Sequence, residues 1–354
     1  MKVNRILDVS IISSNDFYKK NTLDKSKHWK KYFHNDFNRK KINDLINFRK
    51  VNSLSNGLDD HSDKIKTFNL LEELLKKIDK KFILGNLDKH NIGQSPTNFR
   101  YENYYIDYAI LLKIYWLNLL NKSIKKNEIK NICEIGGGFG AFSKILQKNF
   151  NSRILLIDLP EANMLSSFYL SSFLPDKKFY LYDDYKKNNF LSLSDFLKND
   201  IFILPPNCNI DPLIYFDLFV NSRSMQEMNF LVIKKYFKFI HKHTNVNGFF
   251  LNINRYEKDS VGYPVRISQH PYDKDWNVLC SEPSFKQENH HFLLTRRSTK
   301  DNNILNELKN IDLNFNSFYK KQNLKQKTYS FIKSRFVFMV TIVDWFKLKI
   351  KLIF

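Results

Sequence analysis

Nearly half of the glycines in this 354-residue chain lie in one short loop. The chain contains nine glycines, about a third of the ~7% usage of average globular proteins, and four of them fall within residues 136–140. Without Cβ atoms, such a loop lets the backbone approach a ligand closely. It follows an apolar run, NICEI at 131–135, and precedes an amphipathic segment at 141–150. This order predicts a strand, a ligand-binding turn and a helix whose first N–H groups point toward the ligand.

Strands and helices alternate through the middle of the chain. Short apolar runs predict five strands, at 131–135, 153–158, 177–183, 215–222 and 248–256. Two later runs, 278–285 and 290–297, predict an antiparallel hairpin. Alternation at this spacing is typical of a mostly parallel sheet covered by helices on both faces. We therefore predict an α/β fold with a seven-stranded sheet.

The chain divides into three predicted regions. Residues 1–125 carry helical patterns, for example at 70–83 and 104–124, and we expect them to form a helical lid or dimerisation element. Residues 126–300 hold the predicted sheet. Residues 301–354 form a basic tail.

Charge is concentrated at the two ends of the chain. The net charge is +21, to which residues 1–50 contribute +8 and residues 301–354 contribute +6, whereas residues 131–300 contribute only +4. A nucleic-acid enzyme is expected to place basic residues around its cleft, so we predict no nucleic-acid partner. A Lys-rich composition that reflects codon bias is the alternative explanation of the charge.

The apolar, basic segment at 331–354 predicts an amphipathic helix. Its narrow polar stripe suits a helix lying in an anionic membrane interface, and the alternative is a helix packed on the domain or in a homodimer seam. No secretory segment or run of ~18–20 apolar residues is evident. The three cysteines contain no CxxC, which excludes a zinc ribbon and a disulfide scaffold. We predict a cytoplasmic protein, peripheral on the inner membrane face.

Two cofactors compete for the glycine loop. The G-x-G-x-x-A pattern at 136–141 fits the dinucleotide fingerprint, while the E-x-G-x-G-x-G pattern at 134–140 fits the loop of S-adenosylmethionine (SAM)-dependent methyltransferases. Asp158 ends the next predicted strand and can accept hydrogen bonds from both hydroxyls of a ribose. An acidic residue directly before the loop has no obvious use beside a pyrophosphate, but it suits a cationic sulfonium ligand. The pattern favours SAM.

Four segments resemble the bacterial sugar O-methyltransferases, a family of class I SAM-dependent methyltransferases. They are ICEIGGGFGAFSKIL (132–146), LLIDLPEANMLSSFYL (155–170), FVNSRSMQEM (219–228) and NINRYE (252–257). The resemblance spans roughly residues 100–297. The first two segments mark the class strongly, and the other two point to the sugar-modifying subgroup. The resemblance implies a Rossmann-like fold and methyl transfer to a sugar hydroxyl of a cell-surface glycan or its precursor.

The predicted cofactor contacts follow from the loop and from this resemblance. They are Glu134, Gly136, Gly137, Gly138, Gly140, Asp158, Asp183 and Asn221. Asp183 or Asp184 is expected near the adenine. The same two carboxylates could ligate Mg²⁺, but no spacing indicates a metal site, and we predict none.

A sugar hydroxyl is a weak nucleophile and needs a general base or a metal. In this fold the acceptor lies beyond the carboxyl ends of the fourth and fifth predicted strands. The candidate bases in that region are Glu227, His270 and His291, and the candidate substrate-binding residues are Arg223, Gln226, Asn254 and Arg255. Each of these side chains could instead have a structural or surface role.

Two other functions remain open from the sequence. A nucleic-acid methyltransferase could use the basic termini to bind phosphates. A non-catalytic scaffold protein could keep the fold and use the tail as a partner helix. The segment ILPPN at 203–207 only partly matches the [DN]-P-P-[YF] motif of amino-methylating enzymes and precedes the fourth predicted strand. We interpret it as a loop, which weakens the nucleic-acid alternative.

Overall fold

The computed structural model describes residues 3–20, 45–51, 63–259, 261–287, 289–298, 300 and 303–315. The chain divides into two compact units, Met1–Leu305 and Asn306–Phe354. In the second unit, residues 306–315 are described, and they are helical. The amphipathic helix predicted at 331–354 lies outside the described residues. Among the helices that the structure does describe, none combines the length and apolar character needed to cross a membrane.

The first unit begins with helices, as the pattern of residues 1–125 predicts. They are α1 (Val3–Lys20), α2 (Phe48–Val51), α3 (Lys64–Leu75), α4 (Lys80–Asn86) and α5 (Tyr108–Ser123). A hairpin of β1 (Phe99–Tyr101) and β2 (Tyr104–Ile106) precedes α5. The helix predicted from residue 104 therefore starts later, after Asp107, whose side chain accepts a hydrogen bond from the Ile110 N–H at 3.1 Å and caps the helix.

A mixed sheet of eight strands forms the centre of the unit. Its strands are β3 (Asn131–Ile135), β4 (Arg153–Ile157), β5 (Phe179–Tyr180), β6 (Ile201–Leu204), β7 (Phe216–Ser222), β8 (Thr244–Arg255), β11 (Trp276–Pro283) and β12 (His290–Arg297). Their order is β11-β12-β8-β7-β3-β4-β6-β5. All pairs are parallel except those that β12 makes with β8 and β11. The predicted Rossmann-like sheet with an antiparallel C-terminal hairpin is confirmed, with eight strands in place of seven.

The additional strand is β6. It lies beside β4, pairing Leu204 with Ile157, and all four of its residues are buried. The interpretation of 203–207 as a loop was therefore wrong for its first two residues, because the strand continues to Leu204. The strand predicted at 177–183 shrinks to β5, on the outer side of β6. Asp183 therefore follows β5, which lies at the edge of the sheet, and not β6, which is the strand next to β4.

Five helices connect the strands of the sheet. They are α6 (Ala141–Phe150), α7 (Pro160–Phe173), α8 (Tyr182–Lys186), α9 (Leu193–Lys198) and α10 (Phe230–His243). From β3 the chain moves through β4 to β6 in one direction, whereas β7 and β8 lie on the other side of β3. Right-handed crossovers then place α6 and α7 on one face and α10 on the other. Ligands of such sheets bind at this reversal, outside the carboxyl ends of the strands.

A small hairpin lies outside the large sheet. It consists of β9 (Glu257–Asp259) and β10 (Pro264–Arg266), which directly follow β8. This hairpin extends the chain beyond the carboxyl end of β8. It therefore brings additional side chains to the edge of the sheet where the candidate site lies.

Candidate functional site

Packing accounts for three of the four glycines in the loop between β3 and α6. A Cβ at Gly136 would lie 1.8 Å from the Ser224 Oγ, and one at Gly140 would lie 3.0 Å from the Leu170 Cγ. At Gly137 a Cβ would approach the carboxyl group of Glu134 to 3.0 Å. These glycines let the loop pack closely against the rest of the protein. Their predicted contact with a cofactor stays a prediction.

Gly138 differs from the other glycines of the loop. Its φ is +59°, and among the described residues no atom would lie within 4 Å of a Cβ placed there. Its N–H donates a hydrogen bond to the Asp158 Oδ2 at 2.7 Å. The backbone at Gly138 is thus fixed from one side and faces open space on the other. A ligand that approaches the backbone closely requires such an open space.

Glu134 lies at the end of β3 and is 1% exposed. One carboxylate oxygen, Oε2, accepts a hydrogen bond from the Ser143 hydroxyl. The other, Oε1, is buried and has no hydrogen-bond partner among the described residues. Burial raises the pKa of Glu134, which the Ser143 hydrogen bond and the charge of Lys113 partly oppose. An unpaired buried acceptor is costly, so this oxygen favours a donor or a cation from a ligand.

Asp158 follows β4 and holds the loop from the neighbouring strand. Besides the bond from Gly138, its Oδ1 accepts a hydrogen bond from the Leu159 N–H at 2.7 Å. Burial raises the pKa of Asp158 to about 7; the two backbone donors lower it, and the charges of Glu134 and Glu161 raise it. Each carboxylate oxygen keeps one lone pair, so Asp158 can still accept hydrogen bonds from a diol.

A third carboxylate completes an acidic half of the site. Glu161 lies in the first turn of α7, is buried, and accepts a hydrogen bond from the Tyr18 hydroxyl of α1 at 2.8 Å. We call Glu134, Asp158 and Glu161 the acidic cradle. Three carboxylates so close together disfavour an anionic ligand and favour a cationic one.

Among the described residues, Asp183 makes its contacts outside the acidic cradle. It lies in the first turn of α8 and forms an ion pair with Arg5 of α1, whose Nε is 2.8 Å from its Oδ2. Asp184 binds the same guanidinium at 2.7 Å. These contacts fasten α1 to the fold, and the cofactor role of Asp183 stays a prediction. Within the described ranges, no group of three or more His, Cys, Asp or Glu side chains could hold a metal ion.

The structure brings Asn221, Gln226 and Asn254 into one buried amide network. Asn221 Nδ2 donates to the Ile135 carbonyl at 2.7 Å, and Asn254 Nδ2 donates to Asn221 Oδ1 at 2.8 Å. Asn254 Oδ1 accepts from the Gln226 N–H, and Gln226 Oε1 accepts from the Arg255 N–H. The network locks the carboxyl ends of β7 and β8 beside the glycine loop. Its members position the site, and their predicted contacts with cofactor or substrate stay untested.

The two candidate histidines are buried and neutral. Burial lowers the pKa of His270 to about 3 and that of His291 to about 4. His291 shares hydrogen bonds with the Tyr256 hydroxyl at 3.0 Å and the Ser281 hydroxyl at 2.8 Å. His270 Nδ1 is 2.9 Å from Asn252 Nδ2. Each ring would have to exchange partners or change its surroundings before acting as a base.

Glu227 lies in a 3-10 turn, Met225–Glu227, directly after β7. Its carboxylate forms an ion pair with Lys258 of the β9–β10 hairpin. Arg223 precedes the turn, and its Nε donates to His290 Nε2 at 3.2 Å. The sequence analysis missed Lys258, because its nearness to Glu227 depends on the β9–β10 hairpin.

No family model and no curated protein matches the chain. Solved structures similar to it include the mitomycin 7-O-methyltransferase MmcR (12% identity, TM-score 0.34, 54% of this chain and 57% of that chain). Others are an O-methyltransferase family protein from Burkholderia thailandensis (9%, 0.36, 54% and 58%) and human N-acetylserotonin methyltransferase in complex with SAM (14%, 0.31, 53% and 54%). The chain thus spans a little over half the length of these structures.

Proposed function

We propose that the chain is a SAM-dependent O-methyltransferase that acts on a sugar hydroxyl of a cell-surface glycan or its precursor. The acidic cradle beside the open space at Gly138 is the observation that carries this proposal. SAM combines a sulfonium and an ammonium group with a ribose diol, so carboxylates suit it. The pyrophosphate of a nicotinamide dinucleotide would be repelled by the same carboxylates.

Glu134, Gly138 and Asp158 are the residues that would hold the cofactor. The unpaired Oε1 of Glu134 would accept a hydrogen bond from the ammonium group of SAM, and Asp158 would accept hydrogen bonds from its ribose hydroxyls. Bound SAM supplies an activated methyl group. The task of the protein is then to align an acceptor hydroxyl with that methyl group, which supplies much of the rate.

The acceptor would lie over the amide network at the ends of β7 and β8. Glu227 is the proposed general base, since it directly follows β7, where the acceptor would lie, and its carboxylate is held there by Lys258 of the β9–β10 hairpin. His270 and His291 are the other candidates. The sugar in this proposal is supported by the resemblance of segments 219–228 and 252–257, which build that network.

The N-terminal helices belong to the same proposal. Helix α1 is fastened to α8 by the Arg5 ion pairs and to α7 by the Tyr18–Glu161 hydrogen bond, so it adjoins the acidic cradle. This placement supports a lid role, and a homodimer contact is the alternative. A cytoplasmic location, with the tail at an anionic membrane surface, completes the proposal.

Titration with S-adenosylhomocysteine tests the cofactor. Its binding to the folded state should raise the Tm, since ligand at about 100 times Kd adds about 2.7 kcal/mol to the free energy of unfolding. NAD should produce no shift. Differential scanning fluorimetry with both ligands measures this, and stabilisation by NAD alone would exclude the methyltransferase proposal.

Cofactor affinity should rise with pH between 6 and 8. The pKa of Asp158 is about 7 in the free protein, so its carboxylate is mostly protonated at pH 6 and mostly ionised at pH 8. A ribose that donates to the carboxylate favours the ionised form, and binding should release a proton. Calorimetry should show S-adenosylhomocysteine binding about tenfold tighter at pH 8 than at pH 6. The Asp158→Asn variant should bind weakly and without this dependence; a pH-independent wild type would contradict the assignment.

A further inference from the structure

Cationic side chains converge where the chain leaves β7 and β8. Arg223 follows β7, Arg255 ends β8, and Lys258 lies on β9. His290 lies among them: it is the cross-strand partner of Arg255, and its Nε2 accepts a hydrogen bond from Arg223 at 3.2 Å. We call Arg223, Arg255 and Lys258 the basic cluster. Burial, together with the charges of all three, lowers the pKa of His290 to about 2.

Arg255 is the member of the basic cluster whose charge no described side chain neutralises. Lys258 pairs with Glu227. His290 stays neutral and contributes no charge. The Arg255 guanidinium forms no ion pair among the described residues, and its Nε is buried there without a hydrogen-bond partner. A half-buried cation in this state is costly, and a ligand anion would relieve that cost.

The basic cluster adjoins the cofactor loop directly. Ser224, which packs against Gly136, is the next residue after Arg223. Arg255 is tied by its N–H to Gln226 at 2.8 Å, within the amide network. The site therefore has two electrostatic halves: the acidic cradle at the ends of β3 and β4, and the basic cluster at the ends of β7 and β8. The acidic cradle suits a cationic cofactor, so the basic cluster remains as the site for the methyl acceptor.

We infer that the methyl acceptor carries a phosphate or carboxylate group, bound by Arg255 next to the hydroxyl that is methylated. The inference rests on the proposed function and narrows its substrate to an anionic sugar. Guanidinium groups suit this task because their N–H donors match the two oxygens of a carboxylate or phosphate. The anion would anchor the acceptor in the basic cluster while its hydroxyl faces the cofactor side.

Calorimetry with three matched sugars tests the inference. The protein is saturated with S-adenosylhomocysteine and titrated with glucose 6-phosphate, glucuronate or glucose, which share one ring and differ in charge. At least one anionic sugar should bind about tenfold or more tightly than glucose. The Arg255→Gln variant should lose this preference. The Arg153→Gln variant should keep it, since Arg153 begins β4 at the opposite end of the sheet.

The outcomes separate the anion from the cofactor. A preference for glucose 6-phosphate identifies a phosphate, and a preference for glucuronate identifies a carboxylate. Equal or undetectable binding of all three sugars overturns the inference, as does a preference that survives Arg255→Gln. The preceding titration with S-adenosylhomocysteine reports on the proposed function by itself. If Arg255→Gln no longer binds S-adenosylhomocysteine, Arg255→Lys replaces it, and an undiminished preference in that variant contradicts the bidentate role.

Discussion

Replacing Gly138 with valine should abolish measurable binding of S-adenosylhomocysteine while the protein stays folded. The space beyond its Cα is open, and a valine side chain would fill the volume that the cofactor needs. The φ of +59° adds a backbone cost of about 1–2 kcal/mol, which a domain of this size tolerates. The measurement is calorimetric titration, supported by circular dichroism to confirm the fold.

Gly262 provides a matched control for this experiment. It lies between β9 and β10, has a φ of +92°, and no atom among the described residues would lie within 4 Å of its Cβ. Gly262→Val therefore imposes a similar backbone cost without filling the space beside Gly138. It should bind S-adenosylhomocysteine as the wild type does. If Gly138→Val still bound S-adenosylhomocysteine, the glycine loop would not be part of the cofactor site, whatever Gly262→Val shows.

The sequence was sufficient to place the loop but not to explain its glycines. The apolar run before residue 136 and the amphipathic run after it predict β3 and α6 with their correct bounds. The packing of Gly136 on Ser224 could not be predicted, because it joins residues 88 positions apart. Among the four glycines of the loop, only Gly138 has open space beside it in the part of the chain that the structure describes, and that distinction requires the structure.

The missed strand shows a different limit. The run IFIL at 201–204 is apolar enough for a strand, but residues 203–207 were interpreted as a loop because they match the [DN]-P-P-[YF] motif only in part and precede the fourth predicted strand. Its position beside β4 follows from the order of crossovers, which local patterns do not specify. Because β6 was not recognised, the strand that precedes Asp183 was placed one position too close to β4. Arg5, its partner, lies 178 residues away.

On the acceptor side, the sequence could indicate which segments meet but not how their side chains are buried. The segments at 219–228 and 252–257 do converge, because parallel strands β7 and β8 are neighbours. Burial, however, depends on distant parts of the chain: His291 lies on β12, between Pro283 of β11 and Asn254 of β8. Arg223 and Arg255 were predicted on this side of the site, but Lys258 was not, since it reaches the basic cluster through the β9–β10 hairpin.

Replacing Asp107 with asparagine should lower the free energy of unfolding by about 3–5 kcal/mol. Asp107 and Arg49 form an ion pair in which each residue is only 4% exposed, and Arg49 also lies over the Phe139 ring of the glycine loop, 5.0 Å from its centroid. Asparagine keeps the size and the capping ability of the side chain, so the loss reports on the charge. Removing it leaves the buried guanidinium without this carboxylate, which costs more than an exposed pair would.

Asp79 separates this charge effect from helix capping. It caps α4 by accepting a hydrogen bond from the Phe82 N–H at 2.9 Å, as Asp107 caps α5, but in an exposed position. Asparagine is as good a capping residue as aspartate, so Asp79→Asn should change the free energy of unfolding by less than about 0.5 kcal/mol. Urea denaturation of both variants, without ligand and at pH 7, measures the difference. Equal effects of the two substitutions would mean that the Arg49–Asp107 pair contributes no more than a surface cap, and that the contact of α2 with the glycine loop is held by apolar packing alone.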